Sequence, residues 1–364
     1  MQVRRKILFI SHTVDRGTFK VGSHHLAREL ARQGHLVGHM STPVSVAHRY
    51  FRSKDSARLA LAVAGPRVDE YGVVHFIPSA ILPMKLAENR VAISAEIVAT
   101  GFEDADLLFV DQPLLACIAE MGLKGTLIYR PTDEYSSGVA RRRQRRIIDA
   151  AAGVVATSER VLQSLGLPDR LPRAVIENGV EYSRFADGAE ETERWGCVYA
   201  GALDSRFDWR TLSLMAEAAP DEPFVIVGPT PRRVPSLPDN VELRGAVAYD
   251  ELPAILRRAR IGLIPLTDHP MNAGRSPMKY YEYLAAGLHV MAKETPTLRA
   301  RNAPGVSLYS DGEQAVAGLL SLRSERRSNR AGSRAARDFD WAVVAARLME
   351  RAAAFERTAG GRHF

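Results

Sequence analysis

Cysteine is scarce in this sequence of 364 residues, which contains only Cys117 and Cys197. The two lie far apart and lack the paired spacing of a zinc site, so we interpret both as buried, reduced thiols. Long apolar runs are also missing: no stretch of about 18 or more apolar residues occurs, and the start turns polar too soon for a signal peptide. We therefore expect a cytoplasmic protein without a membrane-spanning helix.

Two signatures of nucleotide and nucleic-acid binding are missing as well. The turn after the first predicted strand, residues 11–17, lacks the Gly-X-Gly-X-X-Gly pattern of dinucleotide-binding folds, which disfavours a nicotinamide dehydrogenase. No zinc-finger spacing and no aromatic RNA-binding motif occurs, so nucleic acid is not an expected partner.

Positive charge is in excess, with a formal net charge of +7. By itself this excess favours an acidic partner, whether a nucleotide, an anionic membrane or a nucleic acid. Runs of arginine are also typical of solvated helix faces, and that alternative stays open from sequence alone. The basic stretches are residues 4–6, 49–54, 141–146 and 323–337.

Short apolar runs alternate with helical patterns along the whole chain, which indicates parallel sheets joined by crossover helices. The hydrophobic content of 46% is enough for two cores of ordinary size. An acidic, turn-rich stretch at residues 181–194 separates two such series and is the predicted linker. The predicted organisation is a doubly wound domain over 1–186, a second over 187–339, and a closing helix over 340–364.

One short helix is defined at both ends within residues 274–287. Ser276 suits the N-cap, Pro277 the first helical position, and Gly287 the left-handed position after the last turn. Lys279 then falls in the first turn, where the helix dipole disfavours a cation unless an anion such as phosphate binds there. Glu282, three residues later, lies on the same face.

Lys279 would supply a cation for phosphate, and Glu282 a carboxylate that can accept hydrogen bonds from two vicinal hydroxyls. Together they fit a nucleotide diphosphate and its ribose. A plain surface pair between Lys279 and Glu282 is the alternative. Two small-residue turns strengthen the first interpretation, because Gly201, followed by Arg206, and Gly228 end successive predicted strands. Ligands of doubly wound sheets bind beyond such strand ends.

This arrangement resembles the GT-B glycosyltransferases. Residues 276–287 look like the nucleotide-binding helix of that family, residues 177–181 like its turn before the linker, and Asp340-Trp341 with the last helix like its closing element. The resemblance implies an α/β GT-B fold with two Rossmann-like doubly wound domains facing a central cleft. The N-terminal domain would hold the acceptor, the C-terminal domain the nucleotide sugar, and the last helix would return to the N-terminal domain.

A narrower resemblance is to the membrane-associated glucuronosyltransferases of xanthan assembly. It is carried by Ser11-His12, by His24, by residues 129–133, and by Ser276 with Met278-Lys279. It implies that Asp133 is the catalytic base, that Met278 and Lys279 hold UDP, and that His12 and His24 lie where acceptor and diphosphate approach. Glucuronate would also need a cation, for which Arg275 and His269 are candidates.

The resemblance to GT-B enzymes also bears on the stereochemical outcome and on the catalytic base. Many retaining GT-B enzymes have two glutamates eight positions apart, but with Glu282 as the second, the first falls on Gly274, which favours inversion. Asp133 would take the proton of the acceptor hydroxyl, and Glu134 is a second candidate. The alternative role for Asp133 is to cap a helix that starts near Tyr135.

No metal or other cofactor is expected, because the helix start at residues 276–279, together with Arg206, can stabilise the leaving diphosphate. Asp104-Ala105-Asp106 matches the metal-binding Asp-X-Asp of the other main glycosyltransferase fold. It precedes its predicted strand instead of following it, so we interpret it as a turn.

The leading prediction is a hexosyltransferase with a nucleotide-sugar donor, UDP-linked, and a glycolipid or polysaccharide-precursor acceptor. Arg49 and Arg52, with Tyr50 and Phe51 between them, suit peripheral attachment to an anionic membrane on its cytoplasmic face. Three alternatives stay open: a tailoring transferase for a small soluble acceptor, a nucleotide-sugar epimerase of the same fold, and a non-catalytic nucleotide-binding module.

Overall fold

A computed structural model describes residues 3–16, 20–45, 56–84, 87–135, 137–186 and 194–360. The chain divides into two compact units. The first consists of Met1–Glu177 with Val344–Phe364, and the second is Asn178–Val343. The division falls after residue 177, whereas the predicted boundary was 186, because the helix Tyr182–Ala186 contributes Phe185 to the core of the second unit.

The first unit is built on an eight-stranded sheet in the order β10-β9-β8-β7-β1-β2-β5-β4, and β4 is antiparallel to β5 while the other described pairings are parallel. A separate two-stranded sheet pairs β3 with β6. The strands are β1 (Lys6–Ile10), β2 (Leu36–Met40), β3 (Val44–Ser45), β4 (Arg67–Val68), β5 (Val74–Phe76), β6 (Ser79–Ala80), β7 (Leu107–Val110), β8 (Thr126–Tyr129), β9 (Gly153–Ala156) and β10 (Arg173–Val175). The helices are α1 (Gly22–Arg32), α2 (Ser56–Ala64), α3 (Arg90–Ala99), the 3₁₀ helix Pro113–Glu120, α4 (Gly138–Ala150) and α5 (Glu159–Ser164).

The central strands of this sheet are mainly apolar, as expected for parallel strands covered on both faces. Each residue of β7 is buried, as are four of the five in β1. Cys117 lies in this core, and both cysteines are buried and free, as predicted.

The last helix, which begins at Trp341, belongs largely to the first unit. Its Phe355 packs against Gly153 in β9, where any side chain would collide with the phenylalanine ring. Arg5 donates to both carboxylate oxygens of Glu356 at 2.7 Å. These contacts hold the end of the described chain against the sheet of the first unit.

The second unit contains six strands, β11 (Cys197–Ala200), β12 (Phe224–Val227), β13 (Val241–Gly245), β14 (Ile261–Ile264), β15 (His289–Lys293) and β16 (Val306–Tyr309). They form a parallel sheet in the order β13-β12-β11-β14-β15-β16. The helices are α6 (Tyr182–Ala186), α7 (Trp209–Ala218), α8 (Leu252–Arg258), the 3₁₀ helix Pro270–Asn272, α9 (Met278–Ala285), α10 (Pro296–Arg299), α11 (Gly312–Leu322), α12 (Arg330–Ala336), the 3₁₀ helix Arg337–Phe339 and the start of α13 (Trp341–Gly360).

Helix α9 ends as the sequence predicts. Gly287 has a φ of 77°, its N–H donates to the Leu284 carbonyl at 2.8 Å, and the Leu288 N–H donates to the Tyr283 carbonyl at 2.9 Å. These are the two hydrogen bonds of a Schellman motif, which requires a left-handed residue at this position.

The start of α9 differs from the prediction by one residue. Pro277, not Ser276, occupies the N-cap position, and no side chain caps the helix there. The Ser276 hydroxyl instead accepts from the Arg301 guanidinium at 2.6 Å and from the Asn178 N–H at 3.3 Å. The cap prediction for Ser276 is therefore wrong, because partners distant in sequence occupy its hydroxyl.

Within the residues that the structure describes, no helix is both long enough and apolar enough to cross a membrane.

Candidate functional site

Two glycine turns meet at the carboxyl ends of β11 and β12. The Gly201 N–H donates to the Val227 carbonyl at 2.9 Å, and the Gly228 N–H donates to the Gly245 carbonyl at 2.8 Å. A side chain at Gly228 would collide with the Gly201 carbonyl. The two turns thus pack backbone against backbone, at the strand ends where ligands of such sheets bind.

The amine of Lys279 lies directly beside these turns. Its Nζ is 4.0 Å from the centroid of the Tyr199 ring, and a side chain at Gly201 would occupy the space of the amine. The Tyr199 hydroxyl donates to the Ala202 carbonyl at 2.7 Å, which fixes the ring under the cation. The glycine and the aromatic ring together hold one cation at the start of α9.

The Lys279 amine is a buried cation whose charge the neighbouring carboxylates do not fully balance. Burial, and then the nearby guanidinium of Arg275, lower its pKa to about 7, while Glu282 and Asp204 oppose the shift. The N–H groups of Met278 and Lys279 have no hydrogen-bond partner among the described residues. An anion bound here could accept hydrogen bonds from these N–H groups. Its negative charge would also raise the pKa of Lys279 and so favour the charged amine.

Glu282 lies one turn further along α9 and is buried, with 7% of its surface exposed. Its pKa is raised to about 7, chiefly by burial and also by Glu181, while Lys279 and a hydrogen bond from Tyr249 act in the opposite direction. A carboxylate this buried does not fit the alternative of a solvent-exposed pair with Lys279. It can accept hydrogen bonds from a ligand that reaches the same face.

Arg206 lies close enough to influence the Lys279 amine. Its Nε donates to the two oxygens of Asp204 at 3.0 and 3.1 Å. The predicted contact of Arg206 with a diphosphate stays a prediction, as do the ligand contacts of Pro277 and Met278.

Arg301 is a residue that the sequence did not single out. It is buried, it contacts Ser276, and its guanidinium lies about 5 Å above the rings of Tyr280 and Tyr281, at 5.0 and 4.9 Å. Arg301 therefore supports the segment that leads into α9. No local sequence pattern indicates this role, because Arg301 lies beyond β15 and α10.

Asp133 follows β8 in the first unit and is half-buried. The Thr132 hydroxyl donates to its Oδ2 at 3.1 Å. Helix α4 begins at Gly138 with Ser137 at its N-cap position, so the alternative role of Asp133 as a helix cap is wrong. Glu134, the second candidate base, forms an ion pair with Arg160 at 3.2 Å.

His24 lies in a buried cluster of three histidines at the carboxyl ends of β1 and β2. Its ring centroid is 4.5 Å from that of His39 and 6.5 Å from that of His75. Burial is the first cause that lowers the pKa of each of the three, so they are neutral near pH 7. His12 is exposed and lies on the loop after β1.

His39 and His75 were not among the residues predicted from the sequence. Strand register brings them together, since His39 pairs with His75 across β2 and β5. His75 also lies 2.8 Å from Asp69, measured between Nε2 and Oδ2. Both histidines lie in strands, but their proximity becomes apparent only once it is known that the two strands are neighbours.

A metal site does not emerge from the described residues, where no three His, Cys, Asp or Glu side chains are placed to hold an ion. Asp104 and Asp106 both contact Lys6, through its amine at 2.5 Å and its backbone N–H at 2.7 Å. They precede β7, as the turn interpretation predicts.

The glycine at residue 201 allows a direct test of the lysine site. We expect Gly201→Ala to weaken UDP binding by about tenfold, because the new methyl group would displace the Lys279 amine, the movable end of a flexible chain. Isothermal titration calorimetry measures the change in Kd. Gly122→Ala is the matched control, because it also places alanine at a positive φ but meets nothing within 4 Å. Unchanged UDP affinity in Gly201→Ala would contradict the placement of the ligand.

Comparison with solved structures identifies the fold. The α,α-trehalose-phosphate synthase (UDP-forming) of Burkholderia vietnamiensis is 14% identical, with a TM-score of 0.69 over 100% of this chain and 99% of the other. HepE of Anabaena, solved in complex with UDP and glucose, is 15% identical, with a TM-score of 0.68 over 96% and 100%. The chain has the GT-B fold, and the predicted fold class is confirmed.

Sequence comparison adds the class of protein. Residues 209–350 match the family model described as glycosyl transferase-like. TuaH of Bacillus subtilis (strain 168), assigned by name to teichuronic acid biosynthesis as a glycosyltransferase, is 26% identical over 201 residues, which are 50% of each protein. The chain thus spans about half the length of this curated relative. These matches support the predicted enzyme class, glycosyltransferase, and the narrower likeness to the xanthan glucuronosyltransferases stays a prediction.

Proposed function

We propose that this protein transfers a sugar from a UDP-linked donor to a glycolipid or polysaccharide-precursor acceptor, with inversion and without a metal ion. The observation that carries the proposal is the site around Lys279, where a desolvated amine, the free N–H groups of a helix start and two glycine turns converge. The family match over residues 209–350 supports the same class of reaction.

The donor half of the proposal assigns each group one task. Lys279 and the N–H groups at the start of α9 bind the diphosphate, Gly201 leaves room for the Lys279 amine, and Gly228 lets the two turns pack together. Glu282 accepts hydrogen bonds from the ribose hydroxyls. Because these groups are fixed before the reaction, they stabilise the charge that develops on UDP as the glycosidic bond breaks.

The acceptor half rests on Asp133. Its carboxylate takes the proton of the acceptor hydroxyl while the hydroxyl oxygen forms a bond to the anomeric carbon and the bond from that carbon to the UDP oxygen breaks. Because the acceptor hydroxyl attacks once, from the face opposite UDP, the configuration at the anomeric carbon is inverted. Gly274 supports this outcome, because the resemblance to retaining GT-B enzymes would place a glutamate at that position. His12 and His24 lie on the loop and helix that follow β1, where acceptor and diphosphate would approach.

The acceptor class is proposed from chemistry and from the relative. TuaH is assigned by its name to teichuronic acid biosynthesis. Glucuronate as the transferred sugar would find a cation in Arg275, which lies near Lys279. A cytoplasmic enzyme attached to the membrane surface would meet a lipid-linked acceptor, but the predicted membrane stretch at residues 49–54 lies outside the described residues.

A donor panel tests the proposal. The protein is heated with UDP-, GDP- and dTDP-sugars, including UDP-glucuronate, and we expect only UDP-sugars to raise Tm, since a donor at 100 times its Kd stabilises the fold by about 2.7 kcal/mol.

EDTA should leave transfer unchanged. Loss of activity with EDTA and its recovery with Mn²⁺ would contradict the metal-free mechanism.

The product assay separates the remaining functions. Incubation with donor and a lipid-linked acceptor should move the labelled sugar into the organic phase. Transfer only to soluble acceptors would indicate a tailoring enzyme, and an epimerised sugar formed without acceptor would indicate an epimerase. Tight UDP binding without turnover of any donor would reduce the protein to a nucleotide-binding module.

A further inference from the structure

A cavity of about 210 Å³ lies beside β5 in the first unit. It is separate from the position proposed for the catalytic base. In the sheet order, β5 lies four strand spacings from β8, the strand that leads to Asp133, which is about 19 Å at the usual spacing. We call this cavity the β5 pocket. The lining residues that determine its chemistry are Asp15, Arg16, Leu61, Ala64, Arg67 and His75.

His75 is held in one orientation by Asp69. Its Nε2 lies 2.8 Å from Oδ2 of Asp69, while Oδ1 of Asp69 accepts from the N–H groups of Tyr71 and Val73 at 2.9 Å each. Burial raises the pKa of Asp69, but these hydrogen bonds outweigh burial and hold the pKa below its usual range, so the group is a carboxylate at neutral pH. Because a carboxylate only accepts, Nε2 of the neutral His75 ring carries the proton, and Nδ1 keeps a lone pair.

This lone pair lies beside a second acceptor. Nδ1 of His75 is buried and has no hydrogen-bond partner among the residues that the structure describes, and His75 as a whole is 8% exposed. It lies 4.0 Å from Oδ1 of Asp15, whose other oxygen accepts from the Arg67 guanidinium. A buried acceptor without a donor is destabilising. A molecule in the pocket that donates hydrogen bonds would remove this cost.

The charges around the pocket restrict the chemistry of such a molecule. A cationic ligand is disfavoured, because Arg16 and Arg67 line the pocket and the Lys20 amine donates to the Asp15 backbone carbonyl at 2.5 Å. An anionic group would face a lone pair and a carboxylate. Neutral hydroxyl groups fit, since each can donate to one acceptor. The ligand must also be small, because sites for drug-sized molecules measure about 300–1,000 Å³.

We propose that the β5 pocket binds the ring of one neutral sugar through two adjacent hydroxyl groups. One hydroxyl donates to Nδ1 of His75 and the other to Oδ1 of Asp15, two acceptors whose 4.0 Å separation suits vicinal hydroxyls. Leu61 and Ala64 provide apolar surface for the C–H groups of the ring. The bound sugar is not the one that reacts, because the pocket lies far from Asp133. The inference therefore does not depend on the transfer reaction.

Ligand-detected NMR on the full chain, without donor, tests the proposal. The probes are the methyl α-pyranosides of glucose, galactose and mannose, together with tetrahydropyran-2-methanol, which has the same ring but a single hydroxyl. We expect at least one pyranoside to bind with a Kd in the millimolar range, as is usual for a ligand of this size, and the single-hydroxyl compound not to bind. Failure of all three pyranosides to bind would mean that only water occupies the pocket and would overturn the proposal.

A blocking variant shows whether the sugar binds in this pocket. Ala64→Phe fills the pocket from the exposed end of α2 without changing a polar group, and should weaken binding by about tenfold or more. Ala60→Phe is the matched control, because Ala60 is exposed on the same helix but does not line the pocket. Equal sugar affinity in the two variants would place the sugar elsewhere and contradict the proposal.

Asp69→Asn tests the role of the His75 lone pair. The amide oxygen can keep the hydrogen bonds from the Tyr71 and Val73 N–H groups, so the amide nitrogen faces Nε2 and donates to it, and the ring proton moves to Nδ1. Sugar affinity should fall by about tenfold, because the acceptor of one hydroxyl is lost.

The nitrogen chemical shifts of the imidazole report the tautomer in the parent protein and in Asp69→Asn. A change of tautomer without a loss of sugar affinity would overturn the role of His75, as would a parent protein with the proton on Nδ1. These experiments involve no nucleotide, so their failure would leave the proposed transferase function untouched.

Discussion

Asp133→Asn is expected to lower the rate of sugar transfer by roughly 10²–10⁴-fold, the usual contribution of a general base. The amide has nearly the shape of the carboxylate but cannot accept the proton of the acceptor hydroxyl. The Kd for UDP should not change, because the proposed donor site consists of residues of the second unit. Steady-state kinetics with a labelled donor measures the rate, and calorimetry measures UDP binding.

Glu134→Gln is the matched control for this prediction, since it changes the neighbouring acid in the same way. We expect it to retain most of the activity, because Glu134 is held in an ion pair with Arg160 at 3.2 Å. Near-normal turnover of Asp133→Asn would remove Asp133 as the base. A severe loss confined to Glu134→Gln would transfer that role to Glu134.

Lys279→Met is expected to raise the Kd for UDP by roughly 100-fold, because charge-assisted hydrogen bonds to phosphate contribute about 1.5–3 kcal/mol. The substitution keeps the length of the chain and removes the cation above Tyr199. Lys293→Met is the control, since Lys293 lies at the end of β15 and contacts Asp268 and the Ser310 carbonyl. Similar losses of UDP affinity in both variants would contradict a specific role for Lys279.

The pH dependence of donor binding provides an independent test of the same lysine. The pKa of Lys279 in the free protein is about 7, and a bound diphosphate must raise it. Below pH 7 the amine is already charged and affinity is constant. Above pH 7 binding requires proton uptake, so affinity should fall by up to tenfold per pH unit until the pKa of the complex is reached.

A UDP-sugar is the right ligand for this titration, because its diphosphate has no terminal phosphate that titrates near neutrality. Glu282 also has a pKa of about 7, so the two groups titrate as a coupled pair. The Glu282→Gln variant isolates the lysine and should keep the fall in affinity above neutral pH. Affinity that rises with pH in this variant would exclude Lys279 as the ligand cation.

The helix around Lys279 shows how far sequence reasoning reaches. Its end was predictable, because a left-handed position after the last turn selects glycine at residue 287. Its start was not, because Ser276 binds Arg301 and Asn178, and the latter lies 98 positions away along the chain. Local propensity cannot report a hydrogen bond that forms only after the sheet is assembled.

The first unit illustrates the same limit. Alternating strand and helix patterns predicted its parallel sheet, since buried parallel strands are apolar throughout. The histidine cluster required the register between β2 and β5, which a single sequence does not determine. The helix that was expected near Tyr135 begins at Gly138, so Asp133 is not used as a cap.

The contact between Phe355 and Gly153 has a consequence for biogenesis. Gly153 is made early, and its packing partner is supplied some 200 residues later, by the last helix of the described chain. The second unit, Asn178–Val343, is continuous in sequence, so all of it is synthesised before this contact can form. Until Phe355 has been made, β9 therefore lacks its packing partner at Gly153.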